Sequence, residues 1–188
     1  MEVPDFRRTS MNIPNSLTIL RILLIPVYIG LLVYEQYDRA LLVLLLAGVT
    51  DGLDGTIARV TNQRTRLGAF LDPLADKLLL TSGFIALSAI HLIPSWVTIV
   101  VVSRDLMLLL GTAVAQFTET PVDITPTFLG KGTTFLQLTY VLLVIYLSSR
   151  QVDLSLIEPL LAGMVAFTLL SGLHYLYRGY RHANAQQA

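Results

Sequence analysis

Residues 51–77 read DGLDGTIARVTNQRTRLGAFLDPLADK. The stretch joins two apolar runs, LLVLLLAGVT at 41–50 and LLLTSGFIAL at 78–87. It sets Asp51, Asp54 and Arg59 at the end of the first run and Asp72, Asp76 and Lys77 at the start of the second. Ionisable side chains within a bilayer-spanning segment are unfavourable unless they face a bundle interior or a watered cavity, so their presence marks function. A single buried acid beside a lysine reads equally well as a structural ion pair. Four acids do not.

Helical geometry brings the four together. At about 100° per residue, Asp51 and Asp54 share one face of a helix, and Asp72 and Asp76 share a face of the next at i, i+4. With the turn near Gln63, Asp54 and Asp72 each lie nine residues from it, and Asp51 and Asp76 lie twelve and thirteen away. An antiparallel hairpin therefore places all four at similar depth. Gly55 and Ala58 fall on the strip of Asp51 and Asp54, where small side chains leave room for a ligand to approach the backbone. Four close carboxylates cannot all stay ionised without positive compensation, and Arg59 with Lys77 supplies at most half of it. A bound cation is the simplest remedy. With no cysteine in the chain, oxygen ligation selects a hard ion such as Mg²⁺, Mn²⁺ or Ca²⁺, and four acids suit a two-metal site. Arg59, at the end of the same helix, is placed to pair with a phosphate oxygen beside the metals.

The rest of the chain supplies the setting. Its 188 residues are 54% hydrophobic and 14% charged, with a mean hydropathy of +0.65, a balance far from that of an ordinary soluble domain. Six stretches approach the roughly 20 apolar residues that a spanning helix needs: 15–34, 40–60, 69–92, 95–116, 130–148 and 155–177. The reading is an all-α integral membrane protein with six transmembrane helices and a single domain over 1–188. Residues 1–12, with Phe6 beside Arg7 and Arg8, form a short interfacial segment. No cleavable presequence is expected from MEVPDFRRTSMNIPN. Six spans put both termini on one side, where Arg7, Arg8, Arg59, Arg64, Arg66, Lys131, Arg178 and Arg181 also fall; only Arg39 and Arg150 fall opposite. The positive-inside rule makes that side cytoplasmic, with the active site facing the cytoplasm from the cell (inner) membrane.

The pattern Asp51-x2-Asp54-Gly55-x2-Ala58-Arg59-x8-Gly68-x3-Asp72-x3-Asp76 resembles the CDP-alcohol phosphatidyltransferase signature at every fixed position, eight residues over 26. The likeness extends from NIPNSLTILR in the first span to about Gln137. It implies a six-helix homodimeric membrane fold, a divalent-metal pair of Mg²⁺ or Mn²⁺, a CDP-diacylglycerol donor and release of CMP. Carried over by position, it makes Asp51, Asp54, Asp72 and Asp76 metal ligands and Asp76 also the catalytic base for the acceptor hydroxyl. Gly55, Ala58, Arg59 and Gly68 would line the donor site, although Gly68 reads equally as a helix-start glycine in a tight loop.

Acceptor identity must come from other segments. VVSRDLMLLLG and TPTFLGKGTTFLQL resemble the eukaryotic-type cardiolipin synthase branch, whereas NIPNSLTILR is shared with phosphatidylglycerophosphate synthases. The glycerophosphate branch usually carries a second arginine about two turns after the Ser-Arg pair; Gly111, Thr112 and Ala113 stand there in this chain. Beyond Lys77 the membrane region offers Arg104 and Lys131 as acceptor-binding cations, too few for a phosphomonoester. Phosphatidylglycerol is therefore the expected acceptor, with glycerol 3-phosphate the alternative. Arg104 could instead pair with neighbouring Asp105, and Lys131 could snorkel at the membrane edge. His91, His174 and His182 receive no role, and no nucleic-acid partner is expected. A cation or proton transporter is the rival class. It is disfavoured by the absence of an inverted repeat and by the confinement of the acids to one half of the bundle.

Overall fold

The computed structural model describes the backbone of residues 13–185 apart from 61–65 and 118–127, and side chains at 16, 18–50, 74–111 and 129–178. Six long helices follow one another: α1 (Ile13–Val33), α2 (Tyr37–Val60), α3 (Arg66–Ala89), α4 (Ser95–Phe117), α5 (Phe128–Ser149) and α6 (Glu158–Ala185). A 3₁₀ turn at Leu154–Ile157 precedes α6. Each expected span is met by one helix, and no strand occurs among the described residues. Of the described segments, Leu129–Ser149 and Leu154–Arg178 are long and apolar enough to cross a membrane; a shorter apolar stretch covers Thr18–Val33. The interfacial segment at 1–12 lies outside the described residues.

The helices α1, α3 and α5 end in the same way. Glu35, His91 and Gln151 take left-handed backbone conformations, with φ of 56°, 60° and 54°. The next residue then donates its N–H five residues back: Gln36 to Leu31 O at 2.8 Å, Leu92 to Leu87 O at 2.9 Å and Val152 to Leu147 O at 2.9 Å. This 6→1 bond satisfies a carbonyl that the helix end would leave open. Glycine usually occupies such a position because a Cβ is disfavoured there, and none of the three is glycine. Asp153 then caps the 3₁₀ turn by accepting from Ser155 N at 3.0 Å.

These tight reversals make successive helices neighbours. α1 packs along both α2 and α3; α2 also meets α5; α3 meets α4 and α5; α6 closes against α4 and α5. The apolar core runs through Tyr28, Leu32, Leu44, Phe84, Leu87, Val97, Val101, Val141, Val144, Ile145 and Met164. Ala40, Ala47, Ala75 and Ala86 are buried with it, small residues that let helix backbones approach closely. Gly83 serves the same end, since a Cβ there would lie 2.8 Å from the hydroxyl of the fully buried Tyr28.

Beside this apolar core the interior also holds polar and charged groups, and large apolar side chains cover much of the described exterior. Thr18, Arg21, Arg104, Asp105, Thr133, Gln137, Thr168 and Ser171 lie inside, while Leu23, Val27, Leu42, Leu46, Ile99, Leu110, Phe135 and Leu173 face outward. Polar groups inside find partners across helices: Thr133 Oγ1 donates to Leu129 O and also approaches Phe167 O, and Gln137 Nε2 reaches Thr168 Oγ1 at 3.4 Å.

Candidate active site

α1 and α3 run in the same direction, since each is followed in turn by one reversal. Arg21 lies eight residues into α1 and Asp76 ten residues into α3, so parallel packing brings them level. Arg21 Nη1 donates to Asp76 Oδ1 at 2.7 Å. The two partners differ sharply in environment: the Arg21 side chain is wholly buried, whereas that of Asp76 is 46% exposed. The guanidinium thus reaches from the bundle interior to an acid that remains open on one side.

The next residue points elsewhere. Lys77 Nζ donates to Asp105 Oδ1 on α4 at 2.8 Å, and Arg104 Nη1 donates to the same oxygen at 2.8 Å. Arg104 Nη2 also donates to Ser171 Oγ on α6 at 2.9 Å, while its buried Nε meets no acceptor among the described residues. One carboxylate therefore serves two cations and ties α3, α4 and α6 together. Asp105 and Arg104 are both nearly buried, and Lys77 is partly open. A buried charge without a partner is strongly unfavourable, which explains why the two cations converge on one acid.

This arrangement corrects one element of the sequence reading. Lys77 was expected to compensate the four-aspartate group, but its ammonium is engaged by Asp105. The alternative pairing of Arg104 with Asp105 is the one observed. Arg21 was missed as a site residue, although a lone arginine inside the apolar run LTILRILLIP carries the same signal that singled out the aspartates. Asp51, Asp54, Gly55, Ala58 and Arg59 lie on the last ten residues of α2, and Gly68 and Asp72 on the first two turns of α3. Their side chains lie outside the described residues. The helical backbone runs unbroken through 51–60 and 66–76, as the spacing argument for each pair of aspartates requires. Lys131 is exposed on the first turn of α5, with no ion pair among the described residues. A cleft of about 660 Å³ opens where α1 and α5 end, lined by Glu35, Tyr37, Asp38, Arg39, Ser148 and Gln151, and none of the expected site residues lines it.

A family profile described as CDP-alcohol phosphatidyltransferase matches residues 11–171. The chain belongs to the CDP-alcohol phosphatidyltransferase family. Among its relatives, the human protein named cardiolipin synthase (CMP-forming) is 38% identical over 154 residues, covering 73% of this chain and 51% of the human one. A Mycobacterium tuberculosis protein named probable phosphatidylglycerophosphate synthase is 30% identical over 177 residues, with 90% and 82% covered. The Bacillus subtilis CDP-diacylglycerol–glycerol-3-phosphate 3-phosphatidyltransferase is 33% identical over 192 aligned positions, with 90% and 95% covered. This family member thus spans about half the length of the human cardiolipin synthase it matches. Membership places both the aspartate signature and the Arg21–Asp76 pair inside the matched region.

A carboxylate offers hard oxygen atoms of the kind divalent Mg²⁺ or Mn²⁺ prefers, and Asp76, the signature aspartate whose side chain is described, is nearly half exposed.

Proposed function

We propose that this protein is an integral membrane enzyme that transfers a phosphatidyl group from CDP-diacylglycerol to a hydroxyl of phosphatidylglycerol, yielding cardiolipin and CMP. The observation that carries the reading is the aspartate signature together with an open Asp76 carboxylate held from within the bundle by Arg21. The described exterior rich in leucine, isoleucine and valine supports six membrane-spanning helices, because an apolar band of this extent calls for lipid contact. The asymmetry of arginine and lysine supports cytoplasmic termini, and a homodimer in the inner membrane follows from the family resemblance.

Asp51, Asp54, Asp72 and Asp76 would hold two Mg²⁺ or Mn²⁺ ions, which when bound neutralise the donor diphosphate and the departing CMP. The chain's own residues do the remainder. Asp76 accepts the proton of the acceptor hydroxyl, so that this oxygen forms the new bond to the phosphatidyl phosphorus as the bond to CMP breaks. Arg59 engages phosphate oxygens of the donor through its planar fork, and Gly55, Ala58 and Gly68 allow the donor to approach the backbone.

Arg104 bears on the acceptor. Two of its nitrogens are already committed to Asp105 and Ser171, and Lys77 is engaged by the same acid. With these two cations engaged, less fixed positive charge among the described residues is left for a phosphomonoester, which carries about 1.5 to 2 negative charges near neutral pH. A lipid acceptor presenting a neutral hydroxyl suits this interior better. Glycerol 3-phosphate is the second reading, favoured by the greater coverage of the M. tuberculosis and B. subtilis relatives.

The test offers purified protein CDP-diacylglycerol and Mg²⁺ or Mn²⁺ with phosphatidylglycerol and glycerol 3-phosphate in parallel. Cardiolipin and CMP are expected. Efficient formation of phosphatidylglycerophosphate without cardiolipin would establish the second reading, and no CMP release with either acceptor would overturn the proposed function.

A further inference from the structure

We infer that Arg21 is a positioning residue, a buried guanidinium that fixes the orientation of the Asp76 carboxylate. The inference rests on the proposed role of Asp76 in phosphatidyl transfer. Its structural basis is the pairing of a fully buried cation with a half-open acid across 55 residues of sequence.

Arginine is an unfavourable residue to enclose. It stays protonated and presents five N–H donors, and it stands on α1 inside an otherwise apolar run. An enclosed guanidinium is held by what it contacts. Among its contacts is a short, charge-assisted bond from Nη1 to Asp76 Oδ1. The geometry of the acid is constrained from below as well: Ala75 is fully buried and Leu79 nearly so, which anchors this turn of α3 against the core. Thr18, one turn before Arg21, is also fully buried. Both ends of the bond are therefore held by packed helix, while nearly half of the Asp76 side chain is exposed.

The neighbouring charge cluster supplies a contrast. Asp105 and Arg104 are enclosed together, with side-chain exposures of 9% and 6%, as befits a pair whose work is to hold helices. Arg21 and Asp76 are at 0% and 46%. A pair whose acid is open to a ligand does more than close a helix interface. It sets the direction in which a reactive oxygen points.

Four variants test this: Arg21→Gln, Arg21→Lys, Asp76→Asn and Arg21→Gln combined with Asp76→Asn, in the full-length protein in detergent or vesicles. Misplacement of a reacting group by about 1 Å can lower turnover by about 10²-fold. Arg21→Gln should therefore lower kcat by that order while leaving the KM for CDP-diacylglycerol little changed. Arg21→Lys, which keeps the charge and loses the planar fork, should recover part of kcat. Mn²⁺ binding, followed by electron paramagnetic resonance without substrate, provides a second readout. Removing a cation 2.7 Å from Asp76 should tighten Mn²⁺ binding, and the tightening should vanish when Asp76 is already asparagine.

A merely structural arginine would give parallel losses of folded fraction, Mn²⁺ binding and kcat, with no recovery in Arg21→Lys. An arginine that contacts the donor would raise KM and spare kcat. Either pattern overturns the inference, as does an unchanged Arg21→Gln enzyme. If the wild type itself releases no CMP, the functional reading fails first, and the Mn²⁺ cycle still decides whether Arg21 acts through Asp76.

Discussion

Replacing Asp105 with asparagine removes the single negative charge that Lys77 and Arg104 share while preserving side-chain volume. Both cations donate to Asp105 Oδ1 at 2.8 Å, so the variant leaves two positive groups adjacent and uncompensated. Breaking a buried ion pair by removing one partner costs about 3–5 kcal/mol. Nearly all of that falls on Arg104, whose side chain is 6% exposed, because Lys77 at 32% is partly screened by its surroundings. The Lys77→Met variant alone should therefore cost only about 1 kcal/mol or less. At roughly 2–4 °C per kcal/mol for a chain of this size, Asp105→Asn should lower the unfolding midpoint by about 6–20 °C. The assay is thermal unfolding in detergent, followed by circular dichroism for wild type, Asp105→Asn, Lys77→Met and the double variant. If Asp105→Asn melts within a degree or two of wild type, or if Lys77→Met is as destabilising as Asp105→Asn, the idea of one acid locking three helices is wrong.

Three other outcomes follow from the same structure. Gly83→Ala places a Cβ 2.8 Å from Tyr28 Oη and should cost about 1–3 kcal/mol by overpacking. Tyr28→Phe should relieve much of that cost, because the buried hydroxyl has no hydrogen-bond partner among the described residues; an additive double variant in denaturant titration would refute the contact. The Asp153 carboxyl is held below its ordinary range by hydrogen bonds from the Ser155 hydroxyl and backbone N–H. Its cap therefore contributes stability above the unfolded pKa near 3.9 and loses it as pH falls through the lower folded value. The difference in unfolding midpoint between wild type and Asp153→Ala should be full at pH 6 and shrink below about pH 4; a difference that grows on acidification contradicts the sign. EDTA should abolish CMP release, with Mn²⁺ or Mg²⁺ restoring it, because four close carboxylates cannot hold a diphosphate without compensating charge. Full turnover after thorough chelation would remove the metal from the mechanism.

The positions of the helices were legible in the sequence to within a few residues. The first span, expected at 15–34, is observed at 13–33, and the fourth, expected at 95–116, at 95–117, because apolar length and polar interruption are local properties. The aspartate signature was legible for the same reason: i, i+3 and i, i+4 spacings define a face once the segment is helical. Sixth-helix length was less legible. α6 runs to Ala185, beyond the apolar stretch, since a helix can continue past the residues that hydropathy detects.

What periodicity could not determine was the partner of each inward-facing charge. A face has a direction only when another helix is placed against it. Lys77 could have turned to the aspartates of its own hairpin, and the packing of α3 on α4 gave it Asp105 instead. Arg104, expected as an acceptor-binding cation with Asp105 as the alternative partner, donates to Asp105, and its second bond crosses 67 residues to Ser171. Arg21 looked like one isolated arginine in an apolar helix until parallel packing of α1 and α3 set it level with Asp76. The sequence alone determined which residues carry charge and which helices bear them. Tertiary structure decided which charges meet, because ion pairing depends on distances of a few ångströms between segments that the chain itself keeps far apart.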